Sequence, residues 1–123
     1  MVPWISFCPT HLSATATKRL LDDVRMKLDD IDLIETTLRR CVDAAAATLL
    51  HIHLHHFSPN GVSGVAVLAE SHISIHTWPD AGYAALDVFM CGQASPDACI
   101  PVLRQAFKAE RVEVNEILRG RDA

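Results

Sequence analysis

Two periods organise this chain. In "DDIDLIETTLRRCVDAAAA" the apolar residues Ile31, Ile34, Leu38, Val42 and Ala45 recur at three- and four-residue intervals, one face of an amphipathic helix. Asp30 or Asp32 can cap its start, and Glu35 lies three residues beyond Asp32, as in a capping box. Then the period changes to two. In "TLLHIHLHHF", Leu50, Ile52 and Leu54 alternate with His51, His53 and His55. "SPNG" (Ser58 to Gly61) is a turn cluster. "VSGVAVLA" is β-branched and nearly all apolar, which predicts a central strand. "HISIHT" alternates again, with Ile73 and Ile75 opposite His72, Ser74 and His76. "WPDAG" interrupts the pattern and "YAALDVFMC" resumes it. Before the first helix, His11 to about Val24 is weakly strand-like. Ser95 as N-cap and Pro96 at the first helical position open a second helix, with Ile100, Leu103, Ala106 and Phe107 inward. Pro101 sits awkwardly in its first turns. "RVEVNEI" reads as a last strand. Residues 1 to 10 carry no such period and read as a loose extension.

The order β, α, several β, α, β predicts an α+β fold: a two-layer α/β sandwich, an antiparallel sheet with two helices on one face. The sheet's other face is then polar and histidine-bearing. It meets solvent or a partner, and a homodimer is the simplest cover.

Composition narrows the function classes. The 123 residues suit one domain over 1–123, and half are hydrophobic, enough for a modest core. A net charge of -4 carries no basic nucleic-acid footprint, so no nucleic-acid partner is expected. No apolar stretch approaches the roughly 20 residues of a membrane span. "MVPWISFCPTHL" lacks a basic start and an A-x-A cleavage site, so no signal peptide is expected. Cys8, Cys41, Cys91 and Cys99 form no CxxC pair, which argues against a zinc knuckle. Reduced thiols and a cytoplasmic location are the expectation.

The densest chemistry is "AESHISIHTWPD" (Ala69 to Asp80). A serine hydroxyl can attack the carbonyl of its own preceding peptide, here Glu70-Ser71, and turn the amide into an ester. A base can then remove the serine α-proton and expel that ester. Hydrolysis of the dehydroalanine leaves a ketone, a pyruvoyl group, at a new N-terminus. The reaction needs a strained or polarised peptide, an oxyanion donor and a positioned base. His76, Ser63, and His72 or Ser74 are residue types that can serve.

"GVSGVAVLAESHISIHTWPDAGYAALDVFMCG" (Gly61 to Gly92) resembles the bacterial and archaeal S-adenosylmethionine decarboxylase family, nearly without gaps. The likeness extends more loosely back through "HHFSPN", the first helix and "THLSA" (Thr10 to Ala14). It implies a proenzyme that cuts itself at Glu70-Ser71 into a β chain, 1–70, and an α chain, 71–123, headed by a pyruvoyl group derived from Ser71. By the same likeness, Ser63 and His76 assist processing, and Cys91 is the proton donor in decarboxylation. Phe57, Ile73 and Trp78 match positions around the ligand. The implied substrate is S-adenosylmethionine, held as a Schiff base, with the product feeding polyamine (spermidine) synthesis. A homodimer of αβ protomers is the implied assembly. Aromatic faces such as Phe57 and Trp78 suit a flat adenine and a sulfonium cation.

One position departs from the pattern. Asp80 stands where the family has Glu after Trp-Pro, a carboxylate suited to ribose hydroxyls. Asp is one methylene shorter, a difference in reach of about 1.5 Å. Arginine or ornithine decarboxylation on the same scaffold is therefore an alternative. "HIHLHH" also admits a non-enzymatic, metal-binding reading, with His51, His53 and His55 as ligands. Side chains two apart on a strand diverge too far for tight chelation, and no metal site is expected there.

Overall fold

The computed structural model describes residues 10–15, 23, 25–91 and 93–116. Cys8 and most of the loose extension therefore lie outside the described residues. Six strands form one antiparallel sheet: β1 (Thr10–Thr15), β2 (Leu49–His56), β3 (Val62–Leu68), β4 (Ser71–Trp78), β5 (Tyr83–Phe89) and β6 (Arg111–Glu116). Their order across the sheet is β2-β3-β4-β5-β1-β6. Two helices, α1 (Ile31–Ala44) and α2 (Cys99–Phe107), cross one side of it.

Sequence periodicity sets which side is covered. On β4, Ile73, Ile75 and Thr77 are buried. They pair across to Ala66 and Gly64 on β3 and to Val88, Leu86 and Ala84 on β5. These meet Ile34, Leu38, Cys41 and Val42 of α1 and Leu103 and Phe107 of α2 in one core. The intervening residues, among them His53, Ser63, His72, Ser74, His76 and Asp87, face away from the helices, as period-two alternation requires. The α+β sandwich with one open, histidine-bearing face is thus the observed fold.

Some boundaries differ from expectation. The strand read from His11 to about Val24 ends at Thr15 as far as the described residues show, and 25–28 are helical. Helical residues 25–28 lead into α1, with Leu28 buried and Met26 exposed. Asp30, not Asp32, caps α1, accepting from Leu33 N at 3.0 Å. Glu35 pairs with Arg39 rather than closing a capping box. Ser95 precedes a 3₁₀ turn (Pro96–Ala98) without a side-chain cap bond, and α2 follows it. Pro101 is the third residue of α2, where an N–H would have no intrahelical partner, so the helix accommodates it.

The two helices meet at Cys41 and Cys99, both fully buried and both free thiols. Each thiol points at the other residue's carbonyl, Cys99 Sγ lying 3.6 Å from Cys41 O. The neighbouring Cys99 thiol, and then burial, push Cys41 well above the ordinary thiol range. The pair therefore behaves as neutral core.

Gly64 sets the spacing of β2 and β3. A Cβ there would collide with the carbonyl oxygen of His53 and lie 2.8 Å from Leu54 Cα. Gly64→Ala should destabilise the fold by about 1–3 kcal/mol, the range for forced overpacking. Urea unfolding checks this; an unchanged midpoint would show that the strands part freely at this point.

Candidate active site

The hairpin joining β3 and β4 closes on the pair Leu68–Ser71, leaving Ala69 and Glu70 as a two-residue turn. Glu70 has φ 60°, a left-handed conformation that costs a non-glycine residue about 1–3 kcal/mol. The strained residue is the one whose carbonyl belongs to the Glu70-Ser71 bond.

Register brings a cysteine to that carbonyl. His72 pairs with Phe89, so the chain leaving β5 passes Ser71 through Met90 and Cys91. Cys91 Sγ donates to Glu70 O at 3.2 Å, and Cys91 N donates to Ser71 Oγ at 3.2 Å. The thiol also lies 3.7 Å from Ser71 Oγ and 3.7 Å from a Glu70 carboxylate oxygen. Cys91 is almost fully buried and Ser71 half-buried, so these contacts are partly screened from water. A weak acid on a strained carbonyl beside an oriented hydroxyl can start an N-to-O acyl shift.

Ser71 is the first residue of β4, on the same side as Ile73 and opposite His76. The alternation of β4 thus extends to its first residue.

Ser63 and His76 do form a pair, with Ser63 Oγ 2.9 Å from His76 Nδ1 across β3 and β4. The His76 ring neighbours Trp78, and Trp78 neighbours Tyr83, with centroids 6.2 and 5.3 Å apart. Trp78 and Phe57 are each about half exposed, at 48% and 46%. This aromatic group lies at the opposite end of β4 from Ser71. Five residues at ~3.3 Å each separate His76 from Ser71, roughly 16 Å. One chain therefore does not bring the two groups together. Ile73 belongs to neither, being wholly buried in the core under the helices. Its apolar identity reflects packing, which corrects the expectation that it borders a ligand.

Asp80 follows Trp78 in a 3₁₀ turn (Pro79–Ala81). Its carboxylate accepts from Arg25 at 3.1 Å and from Asn60 at 3.2 Å. Among the described residues no three His, Cys, Asp or Glu side chains converge to hold a metal ion. His51, His53 and His55 share a face of an edge strand without converging.

Asp29, at the head of the stretch that reads as the first helix, has partners that the sequence does not announce. Its Oδ1 accepts from His56 Nε2 at 2.7 Å and from Gly61 N at 2.8 Å. The same is true of Thr77. Its buried hydroxyl donates to Leu28 O at 2.7 Å and accepts from Val62 N at 2.8 Å. No local pattern announces either residue, since their partners are distant in sequence.

The crystal structure of the adenosylmethionine decarboxylase from Aquifex aeolicus VF5 superposes with a TM-score of 0.80 at 26% identity, covering 97% of this chain and 93% of that one. Fold and class of protein are thus shared with a decarboxylase. The family model for S-adenosylmethionine decarboxylase matches residues 20–120. The S-adenosylmethionine decarboxylase proenzyme of Methanococcus vannielii is 54% identical over 97 residues, 78% of this chain and 80% of that protein. That of Thermomicrobium roseum is 50% identical over 95 residues, 76% and 82% respectively. That of Methanococcus aeolicus is 45% identical over 111 residues, 89% and 95%. The chain belongs to the S-adenosylmethionine decarboxylase family.

The Gly61 amide first, and the His56 ring second, hold the Asp29 carboxyl below its ordinary value of 3.8. A depressed carboxylate stabilises the fold above that value, and the contribution is lost as pH falls through the lower folded value. Asp29→Asn should therefore lower stability at pH 7, with the difference from wild type shrinking below about pH 4. Urea titrations between pH 3 and 7 read this; a pH-independent difference would contradict the linkage.

Proposed function

We propose that this chain is a self-processing S-adenosylmethionine decarboxylase whose α chain begins at residue 71. The observation that carries the proposal is the Cys91 thiol on the carbonyl of a left-handed Glu70, with the Ser71 hydroxyl held by the Cys91 amide. Ser71 Oγ attacks the Glu70 carbonyl carbon, and the C–N bond breaks as the ester forms. Loss of the Ser71 α-proton expels the Glu70 carboxylate and leaves dehydroalanine. Water then displaces ammonia and completes the pyruvoyl group. That group supplies an electrophilic carbonyl and an electron sink for loss of CO2 from an α-amino acid. The residues around Ser71 suit it: the Cys91 amide and thiol are donors that a carbonyl can use in place of the hydroxyl. Cys91 also serves as the proton donor to the substrate α-carbon.

Phe57 and Trp78 present aromatic faces to an adenine and a sulfonium, and Asp80 is close enough to both loops to meet the ribose. Those residues and the Ser63–His76 pair lie far from Ser71 of their own chain. Two open faces stacked about a two-fold axis lay one end of each sheet over the other end of its partner. We infer that a homodimer forms this way and that each Ser63–His76 pair serves the partner's cleavage site. The exposed Val67, Phe57 and Trp78 on or beside that face favour such a cover. Self-attack needs no diffusible protein partner, and no helix among the described residues is long and apolar enough to cross a membrane.

Denaturing mass spectrometry should find two chains split before residue 71. Ser71→Ala should remain one chain and release no CO2 from S-adenosylmethionine. Cys91→Ala should still cut, about tenfold more slowly for loss of one hydrogen bond to the carbonyl, and lose more in turnover. Greater CO2 release from arginine or ornithine would favour the alternative substrates, and an active uncut chain would end the proposal.

The shared site has its own assay. His76→Ala and Ser71→Ala chains, each uncut alone, should give cleavage of the His76→Ala chain when co-expressed, because that chain faces an intact His76. No cleavage in the mixture would place His76 and Ser71 of one chain in the same reaction.

A further inference from the structure

The loop between β2 and β3, Phe57 to Asn60, carries one of the aromatic residues assigned to substrate, and its neck is closed by a carboxylate outside the site. Asp29 Oδ1 accepts from His56, the residue just before the loop, and from the Gly61 amide just after it. A backbone bond from Phe57 N to Gly61 O, 2.7 Å, runs alongside. The next residues of the same segment grip the neighbouring turn. Leu28 O receives the Thr77 hydroxyl, which itself receives Val62 N. Arg25 holds Asp80, and Asp80 in turn accepts from Asn60 in the loop. Residues 25–29 therefore join, through polar contacts, the two loops that bear Phe57 on one side and Trp78 and Asp80 on the other.

We propose that Asp29 is a positioning residue for substrate: it fixes the Phe57 loop at the distance from Trp78 and Asp80 that the nucleoside requires. The proposal rests on the reading that these residues receive S-adenosylmethionine. The physical basis is entropic. A loop this short, tied at both ends to one oxygen, has few states left to lose on binding, whereas an untied loop must be ordered by the ligand. That ordering appears in affinity rather than in the chemical step, because Asp29 touches neither Ser71 nor Cys91. The same bracing explains why a shorter Asp can stand at position 80. Its reach is set by Arg25 and Asn60, which hold the carboxylate on the turn rather than leaving it to sample solution.

The test uses the processed enzyme and S-adenosylmethionine. Asp29→Ala should raise KM about tenfold while kcat stays within about twofold, and self-cleavage should be complete. Asp29→Glu, which keeps the acceptor, should recover part of the KM. Should Asp29→Ala fail to fold, Asn60→Ala decides: it breaks only the link to Asp80 and should raise KM with kcat held. A fall in kcat at constant KM, or KM within twofold of wild type in the variants that fold, overturns the proposal. Wild-type enzyme that releases no CO2 from S-adenosylmethionine would instead refute the functional reading beneath it.

Discussion

The register of β4 against β3 and β5 is the constraint on which the rest depends. Ile73, Ile75 and Thr77 must face the helices, because their neighbours in the core are apolar. A slip of one residue would turn His72, Ser74 and His76 into that core, and each unpaired polar group buried there costs about 1–3 kcal/mol. Ordinary hydrophobic burial thus fixes the pairing of His72 with Phe89. Everything at the strand's end follows: Ser71 opens β4, and the chain beyond Phe89 delivers Cys91 to the Glu70 carbonyl. The packing that stabilises the domain also aims the thiol.

The same register tightens the turn. With Leu68 and Ser71 paired, only two residues remain to reverse the chain, and Glu70 takes the left-handed conformation that such turns usually give to Gly or Asn. Strain at one residue survives where its surroundings over-determine it. Here two interior strands do so. Cutting the peptide after Glu70 removes the need for the turn, so strain and reaction point the same way.

Much of this was legible in the sequence, for definite reasons. Alternation in β4, β5 and β2 from Ile52 onward made the strands and the histidine-bearing face legible, since one side of each meets a core; the bulge between Leu49 and His51, which leaves Leu50 exposed, was not. The recurrence of Ile34, Leu38 and Val42 gave α1 in the same way. The elements misread were those where local pattern and tertiary environment disagree. Asp29 and Thr77 were invisible because their partners come from 15 to 49 positions away. The motif string announced Ser63, Ser71, His76 and Cys91 together, yet a string carries no distances. It did not disclose that two members of the set stand at one end of the sheet and two at the other.

That separation is itself informative about assembly. A strand delivers alternate side chains to opposite faces, so Ser71 and His76, five residues apart, differ both in face and in position along β4. No rotamer change closes roughly 16 Å. Either the two act in unrelated events or a second sheet supplies one of them. The open face favours the second course. It carries a bonded Ser63–His76 pair and a His72–Asp87 hydrogen bond of 3.2 Å amid exposed apolar side chains such as Val67, a mixture poorly suited to bulk water. Covering it with an identical face would remove apolar surface from water and keep the polar pairs satisfied within each sheet. A two-fold arrangement generates two equivalent sites at once, each with a cleavage turn from one chain and an aromatic and histidine group from the other. In the proposed dimer the helices would stabilise each domain, and the bare face would complete each site from the partner.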